Sequence, residues 1–107
     1  MNWVRQTISS TGAQNPISMD WRIAPFIANT ALIVPAGVTV SATVEYTFDD
    51  VNDPSVVPVW IADATYGTVS ATKERVYTAP YQFVRVNVAS ISGGDVYFEY
   101  LQGTNIN

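Results

Sequence analysis

The chain contains neither cysteine nor histidine, and each absence removes a class of chemistry. Without cysteine there can be no disulfide framework, no thiolate metal site and no thiol nucleophile. Without histidine the commonest general base and the commonest zinc ligand are gone. Charge is also scarce, with five Lys or Arg and nine Asp or Glu among 107 residues, or 13%, where an average domain carries about 25%. The basic residues Arg5, Arg22, Lys73, Arg75 and Arg85 are scattered, so no basic patch offers itself to phosphates and no nucleic-acid partner is expected. Long apolar runs are missing too: stretches such as Ala31 to Val34 fall far short of the roughly 20 residues of a membrane span. The start Met1-Asn2-Trp3-Val4-Arg5 lacks the pattern of a signal peptide, which leads to the expectation of a cytoplasmic product with no membrane partner. Finally, Leu occurs twice and Lys once, so two good helix formers are nearly absent.

What replaces them is β-branched and polar. Val occurs 15 times and Thr 11 times, joined by 13 aromatic residues, six prolines and six glycines. Such side chains pack well on pleated sheets and lose rotamer freedom in helices. Thirty Ser, Thr, Asn and Gln residues take over solvation that charge normally supplies. A chain of this length exposes roughly 5,900 Å² folded against about 17,000 Å² unfolded, enough for one core without staples. Residues 1–107 are therefore expected to form a single β-sandwich domain, with 1–24 as a less regular N-terminal arm.

The clearest strand signal runs from Val38 to Phe48, where apolar Val38, Val40, Ala42, Val44, Tyr46 and Phe48 alternate with polar neighbours. Pro35-Ala36-Gly37 marks a turn, so Ile27 to Val34 is expected to fold back on it as a hairpin. Further strands are predicted at Trp3 to Ile8, Ile17 to Ile23 and Val56 to Ala62, the last with Pro58 at an edge or bulge. Two more hairpins are predicted: Thr68 to Thr72 with Glu74 to Thr78, and Phe83 to Ala89 with Asp95 to Gln102. About seven to nine short strands without a convincing helix give an all-β fold, an antiparallel β-sandwich or jelly roll.

Little in this pattern points to catalysis. Asp49, Asp50 and Asp53, with Asn52, offer hard oxygens for Ca²⁺, but the spacing lacks the alternating ligands and central glycine of an EF-hand, and turn capping explains the cluster. An electrostatic docking role is the other reading of the same loop. Asp63 and Glu99 would have to be brought together to act as a glycosidase pair, and Lys73 in Thr72-Lys73-Glu74-Arg75 fits a solvated turn. No catalytic residue, metal or cofactor is expected. The aromatic residues are more informative. Tyr97, Phe98, Tyr100 and Leu101 place apolar groups on both faces of the last strand, so one face needs a cover: the chain's own N-terminal segment or a partner. Stacking of a carbohydrate on exposed Trp or Tyr rings is a further reading. The candidate interface residues are Trp3, Trp21, Asp49, Asp50, Asp53, Tyr97 and Tyr100, with the acidic loop 49–53 seeking Arg or Lys on the partner.

The run Tyr46-Thr47-Phe48-Asp49-Asp50, then Asp53-Pro54 and Pro58-Val59-Trp60, resembles a group of small β-sandwich virion structural proteins of tailed bacteriophages. Val84-Arg85-Val86-Asn87-Val88, a Gly-rich turn and Tyr100-Leu101-Gln102-Gly103 extend the similarity over residues 25–103. The resemblance implies a capsid decoration or cement protein that is made in the host cytoplasm, sits on the capsid surface and binds the major capsid protein. A homo-oligomer, dimer or trimer, would add avidity to a small docking surface. A head-fibre or tail adaptor, including a carbohydrate-binding module, is the alternative it leaves open.

Overall fold

In the computed structural model, which describes residues 2–103, the β-branched composition produces ten strands and no helix. Met1 and residues 104–107 of the expected domain lie outside the described residues. In chain order the strands are β1 (Asn2–Ile8), β2 (Gly12–Ala13), β3 (Ile17–Ser18), β4 (Ala28–Ile33), β5 (Thr39–Thr47), β6 (Ile61–Ala62), β7 (Thr68–Val69), β8 (Lys73–Tyr77), β9 (Phe83–Ser92) and β10 (Val96–Gln102). They form two sheets, one in the order β1-β10-β4-β8, the other in the order β2-β9-β5-β6 with β3 and β7 pairing β9 and β5. All pairings are antiparallel, and six of them nest: β1 with β10, β2 and β3 with β9, β4 with β8, β5 with β6 and β7; β10 with β4 and β5 with β9 then join these pairs into the two sheets. With β2/β3 and β6/β7 each counted as one interrupted strand, this is one long hairpin rolled up into eight strands, the jelly-roll form of the sandwich.

Alternation fixes the core. On β5, Val40, Ala42 and Val44 point inward and are buried, opposite the buried Val88 and Val86 of β9, while Ser41, Thr43 and Glu45 stay partly exposed. From the other sheet Ala28, Leu32, Phe98 and Tyr100 close the space. Each fully buried aliphatic or aromatic side chain of this kind contributes about 1.5–3 kcal/mol relative to exposure.

Three expected hairpins are absent for one reason. β4 and β5, β7 and β8, and β9 and β10 are consecutive and joined by short connections, yet each pair is divided between the two sheets. Periodicity tells which face of a strand is apolar, not which strand lies beside it, and a short connection spans the roughly 10 Å between sheets. The N-terminal segment is corrected as well. β1 is a seven-residue edge strand paired along its whole length with β10, so it lies beside the last strand rather than over its outer face. Ile17–Ser18 and Ile61–Ala62 are all that become strand in the stretches 17–23 and 56–62.

A buried polar cluster ties the sheets together. After β6 the chain drops Asp63 into the interior, where one carboxylate oxygen accepts hydrogen bonds from Arg75 Nη1 and the Tyr77 hydroxyl, and the other accepts the amides of Thr65 (2.9 Å) and Tyr66 (3.2 Å). The Tyr66 hydroxyl meets Thr30 Oγ1 at 2.7 Å, and Thr30 donates to the Arg75 carbonyl at 2.9 Å. Lys73, exposed as expected but at the start of β8 rather than in a turn, donates from Nζ to the Tyr66 carbonyl at 2.8 Å. Arg75 and Lys73 thus point inward from the edge strand β8, an arrangement that also discourages edge-to-edge association. Burial, then the hydrogen bond to Asp63, pushes the Tyr77 phenol well above its ordinary range, and burial pushes Tyr66 up to about 12.

Candidate functional site

Three connections meet at one end of the sandwich: residues 19–27 between β3 and β4, 48–60 between β5 and β6, and 78–82 between β8 and β9. Gln82 locks them to one another. Its amide donates to the Thr47 carbonyl (3.0 Å), its carbonyl accepts the Met19 amide (2.9 Å), and its side-chain Nε2 donates to the Phe48 carbonyl (2.8 Å). A second clamp comes from buried Gln102, whose side chain accepts the Asp20 amide at 3.0 Å and donates to the Asp20 carbonyl at 2.9 Å. The chain entering the turn that carries Trp21 is therefore held at two consecutive residues, Met19 and Asp20, although Trp21 itself is 49% exposed.

Aromatic rings fill the opening between the sheets. Tyr81 stacks on Tyr46 with centroids 4.0 Å apart and meets Phe48 and Tyr77 edge-on at 5.2 and 5.8 Å. Burial first, and then the hydrogen bond with Tyr81, raises the Tyr46 pKa. Above this plug lies a pocket of about 190 Å³ lined by Trp21, Phe48, Pro80, Tyr81 and Gln82. Phe48 is 58% exposed at its rim, and beyond it Val57 and Val59 stand out at 89% and 67%.

The acidic loop begins at that rim. Asp49 Oδ2 accepts the Val59 amide at 2.8 Å and so closes the base of the long connection. Asp50 caps the Asn52 amide at 2.9 Å, and Asp53 accepts from both the amide and hydroxyl of Ser55, which lowers its pKa. Turn capping thus describes the cluster, and among the described residues no group of three or more His, Cys, Asp or Glu is placed to hold a metal ion. The distribution of charge is uneven. The three connections of this end carry Asp20, Asp49, Asp50 and Asp53 against Arg22 alone, four negative charges and one positive, which accounts for −3 of the chain's net −4. Elsewhere charges are balanced in ion pairs, Arg5 with Glu99 at 3.2 Å and Arg85 with Glu45 at 2.7 Å between strands, and Arg75 of β8 with Asp63.

The remaining candidates lie elsewhere. Trp3 and Tyr97 project from the outer face of the β1-β10-β4-β8 sheet, where Trp3, Leu101, Asn29 and Val76 stand in register across four strands. The next row is Arg5, Glu99, Ala31 and Glu74, with the Arg5 guanidinium 5.2 Å from the Tyr97 ring. Because β4 presents only short side chains here, two shallow depressions of about 170 and 400 Å³ open over it, sharing Asn29, Glu74 and Leu101. Tyr100 cannot be an interface residue: it is fully buried, with its hydroxyl bonded to Gln102 and its pKa pushed by burial up to about 12. The Asp63 and Glu99 pair is not assembled either, since Asp63 lies in the core and Glu99 on the outer face beside Arg5. Trp21 and the acidic loop are brought together at one end, while Trp3 and Tyr97 form a separate face. Phe48, Tyr81 and Gln82, which the sequence does not mark as interface residues, complete the site. No protein-family model matches the chain, and no curated protein or solved structure does so, so the likeness to phage virion proteins rests on the sequence segments quoted above.

Proposed function

We propose that the protein is a structural component of a bacteriophage virion, a decoration or cement protein that binds the major capsid protein through the end carrying Trp21 and Phe48. The observation that carries this reading is the concentration of exposed apolar surface. Of the ten large hydrophobic residues exposed among those described, six (Trp21, Ile27, Phe48, Val56, Val57 and Val59) sit in the connections of that one end. The core of an interface is apolar and enriched in aromatic rings such as Trp21 and Phe48, and a rigid frame beneath them limits the ordering cost of docking. The jelly roll suits the role without specifying it, since the fold serves both capsid and lectin domains. Self-association as a dimer or trimer on the capsid surface would multiply a modest contact, and the proposal assigns the protein no catalytic function. Adding the purified protein to heads that lack it tests the reading. Binding in hundreds of copies per particle with raised head stability is expected; absence of binding, or a handful of copies, would overturn the decoration role.

A second reading, a carbohydrate-binding adaptor of the fibre or tail, draws on the sheet face around Trp3. An exposed indole beside Asn29, Glu74 and Glu99 offers a stacking platform next to polar hydrogen-bonding groups. Glycan-array binding that disappears in Trp3→Ala would favour it.

A further inference from the structure

We infer that the aromatic pocket between Trp21, Phe48 and Tyr81 is a receptor for a basic side chain, arginine before lysine, presented by a partner protein; this rests on the reading of that end as the docking surface and names what the pocket takes. The walls come first. Three aromatic rings and Pro80 surround a volume of about 190 Å³, below the roughly 300–1,000 Å³ of small-molecule sites, so one side chain rather than a cofactor fits. Aromatic faces carry negative quadrupole potential and attract a guanidinium or ammonium, and the flat guanidinium also stacks on them.

Charge selects between a cation and a plain apolar occupant. The connections around the pocket hold −3 of the net −4; Asp49 and Asp50 follow Phe48 directly in the chain, and Asp53 comes three residues later. The turn hydrogen bonds of Asp50 and Asp53 occupy an oxygen of each but leave its charge at the surface. A net negative field around aromatic walls speeds encounter with a positive partner and disfavours a negative one. The chain's own Arg22 already places its guanidinium 5.8 Å from the Trp21 ring while held only at 3.8 Å from Asp20.

The test uses the full chain and three capped tripeptides, Ac-Gly-Arg-Gly-NH2 and the same peptide with citrulline or leucine in the centre. Citrulline keeps the shape of arginine and removes its charge. Saturable NMR shifts of the Trp21 indole and the Gln82 amide are expected with the arginine peptide, at least fivefold weaker with citrulline and leucine. The double variant Asp50→Asn and Asp53→Asn, which keeps the capping oxygens, should weaken the arginine peptide at least threefold while leaving the spectrum folded. Equal binding of the three peptides, or no saturable shift, would overturn the inference. Head binding that persists without arginine selectivity would defeat the pocket assignment and leave the docking reading standing. Arginine selectivity in a protein that binds no heads would do the reverse.

Discussion

At one end of the sandwich four connections of three to five residues cross between the sheets; at the other, three connections of five to thirteen residues gather aromatic rings and negative charge. The short end is held by backbone lying on backbone. Gly93 and Gly37 both have positive φ, 87° and 84°, and a Cβ built on Gly93 would stand 2.5 Å from the Gly37 carbonyl oxygen. Thr72 fastens the same end by accepting the Val34 amide at 2.8 Å. No large hydrophobic residue is exposed in those four connections, among the residues described. The long end is instead held by side chains, Gln82, Gln102 and Asp49, and leaves six large apolar groups in water. A closed end needs no room for side chains, whereas a binding end needs side chains on view and something else to fix the loops.

The largest effect on stability is expected beneath the long end. Asp63→Ala leaves Arg75 and the Tyr77 hydroxyl without their acceptor in the interior, and removing one partner of a buried pair costs roughly 3–5 kcal/mol. Urea unfolding should show that loss; a change below about 1 kcal/mol would mean the clamp does not hold the two sheets. Alkaline pH attacks the same half by another route. Tyr66 and Tyr100, raised from 10.0 to about 12, stay neutral when folded, so their stabilisation is complete below pH 10 and lost as pH climbs through 12. On the order of 3 kcal/mol for each should disappear over that window, followed by phenolate absorbance and tryptophan fluorescence together. Phenolate formation at Tyr66 and Tyr100 near pH 10 with the fold intact would contradict the burial described.

How much of this was legible depends on what period-2 patterning encodes. It located β5, β9 and β10 because Val40, Val44, Val86 and Phe98 alternate with polar residues, but it could not say that β9 and β10 belong to different sheets. Tyr100 looked exposed because the last strand is apolar on both faces. Counting along it shows 98, 100 and 102 turned inward and 97, 99 and 101 outward, yet only the packing of the second sheet against this one tells which set is covered. Trp21 stood out as a large ring in a weakly patterned stretch. Phe48 did not, since it ends an alternating run and reads as core, and nothing local marks Gln82, whose role is to join segments more than 30 residues apart. Asp63 resembles an ordinary turn residue in Ala62-Asp63-Ala64-Thr65-Tyr66-Gly67, and in part it is one, capping Thr65 and Tyr66. Its ion pair with Arg75 is a product of the roll-up.

The short end depends on its glycines. Gly93→Ala meets both a left-handed backbone and the Gly37 carbonyl, so about 2–3 kcal/mol should be lost. Gly37→Ala faces the same φ penalty with nothing within 4 Å of the new methyl group, so about 1 kcal/mol is expected. Thermal unfolding of the two variants side by side separates strain from collision. Equal losses would show that the close approach between these turns does not limit the fold.

The smallest effect on stability should come with the largest effect on binding. Trp21 is half exposed on a turn already fixed by Gln102 and Gln82, so Trp21→Ala should cost under about 1 kcal/mol, as surface changes away from buried features do. Trp3 is comparably exposed, at 58%, but stands on the outer sheet face. If the long end docks, Trp21→Ala and Phe48→Ala should each lower occupancy on heads severalfold while Trp3→Ala leaves it unchanged, with all three variants unfolding near the parent temperature. The opposite pattern, with Trp3→Ala alone reducing occupancy, would move the docking surface to the sheet face. The end built with long, aromatic connections would then need a purpose other than attachment.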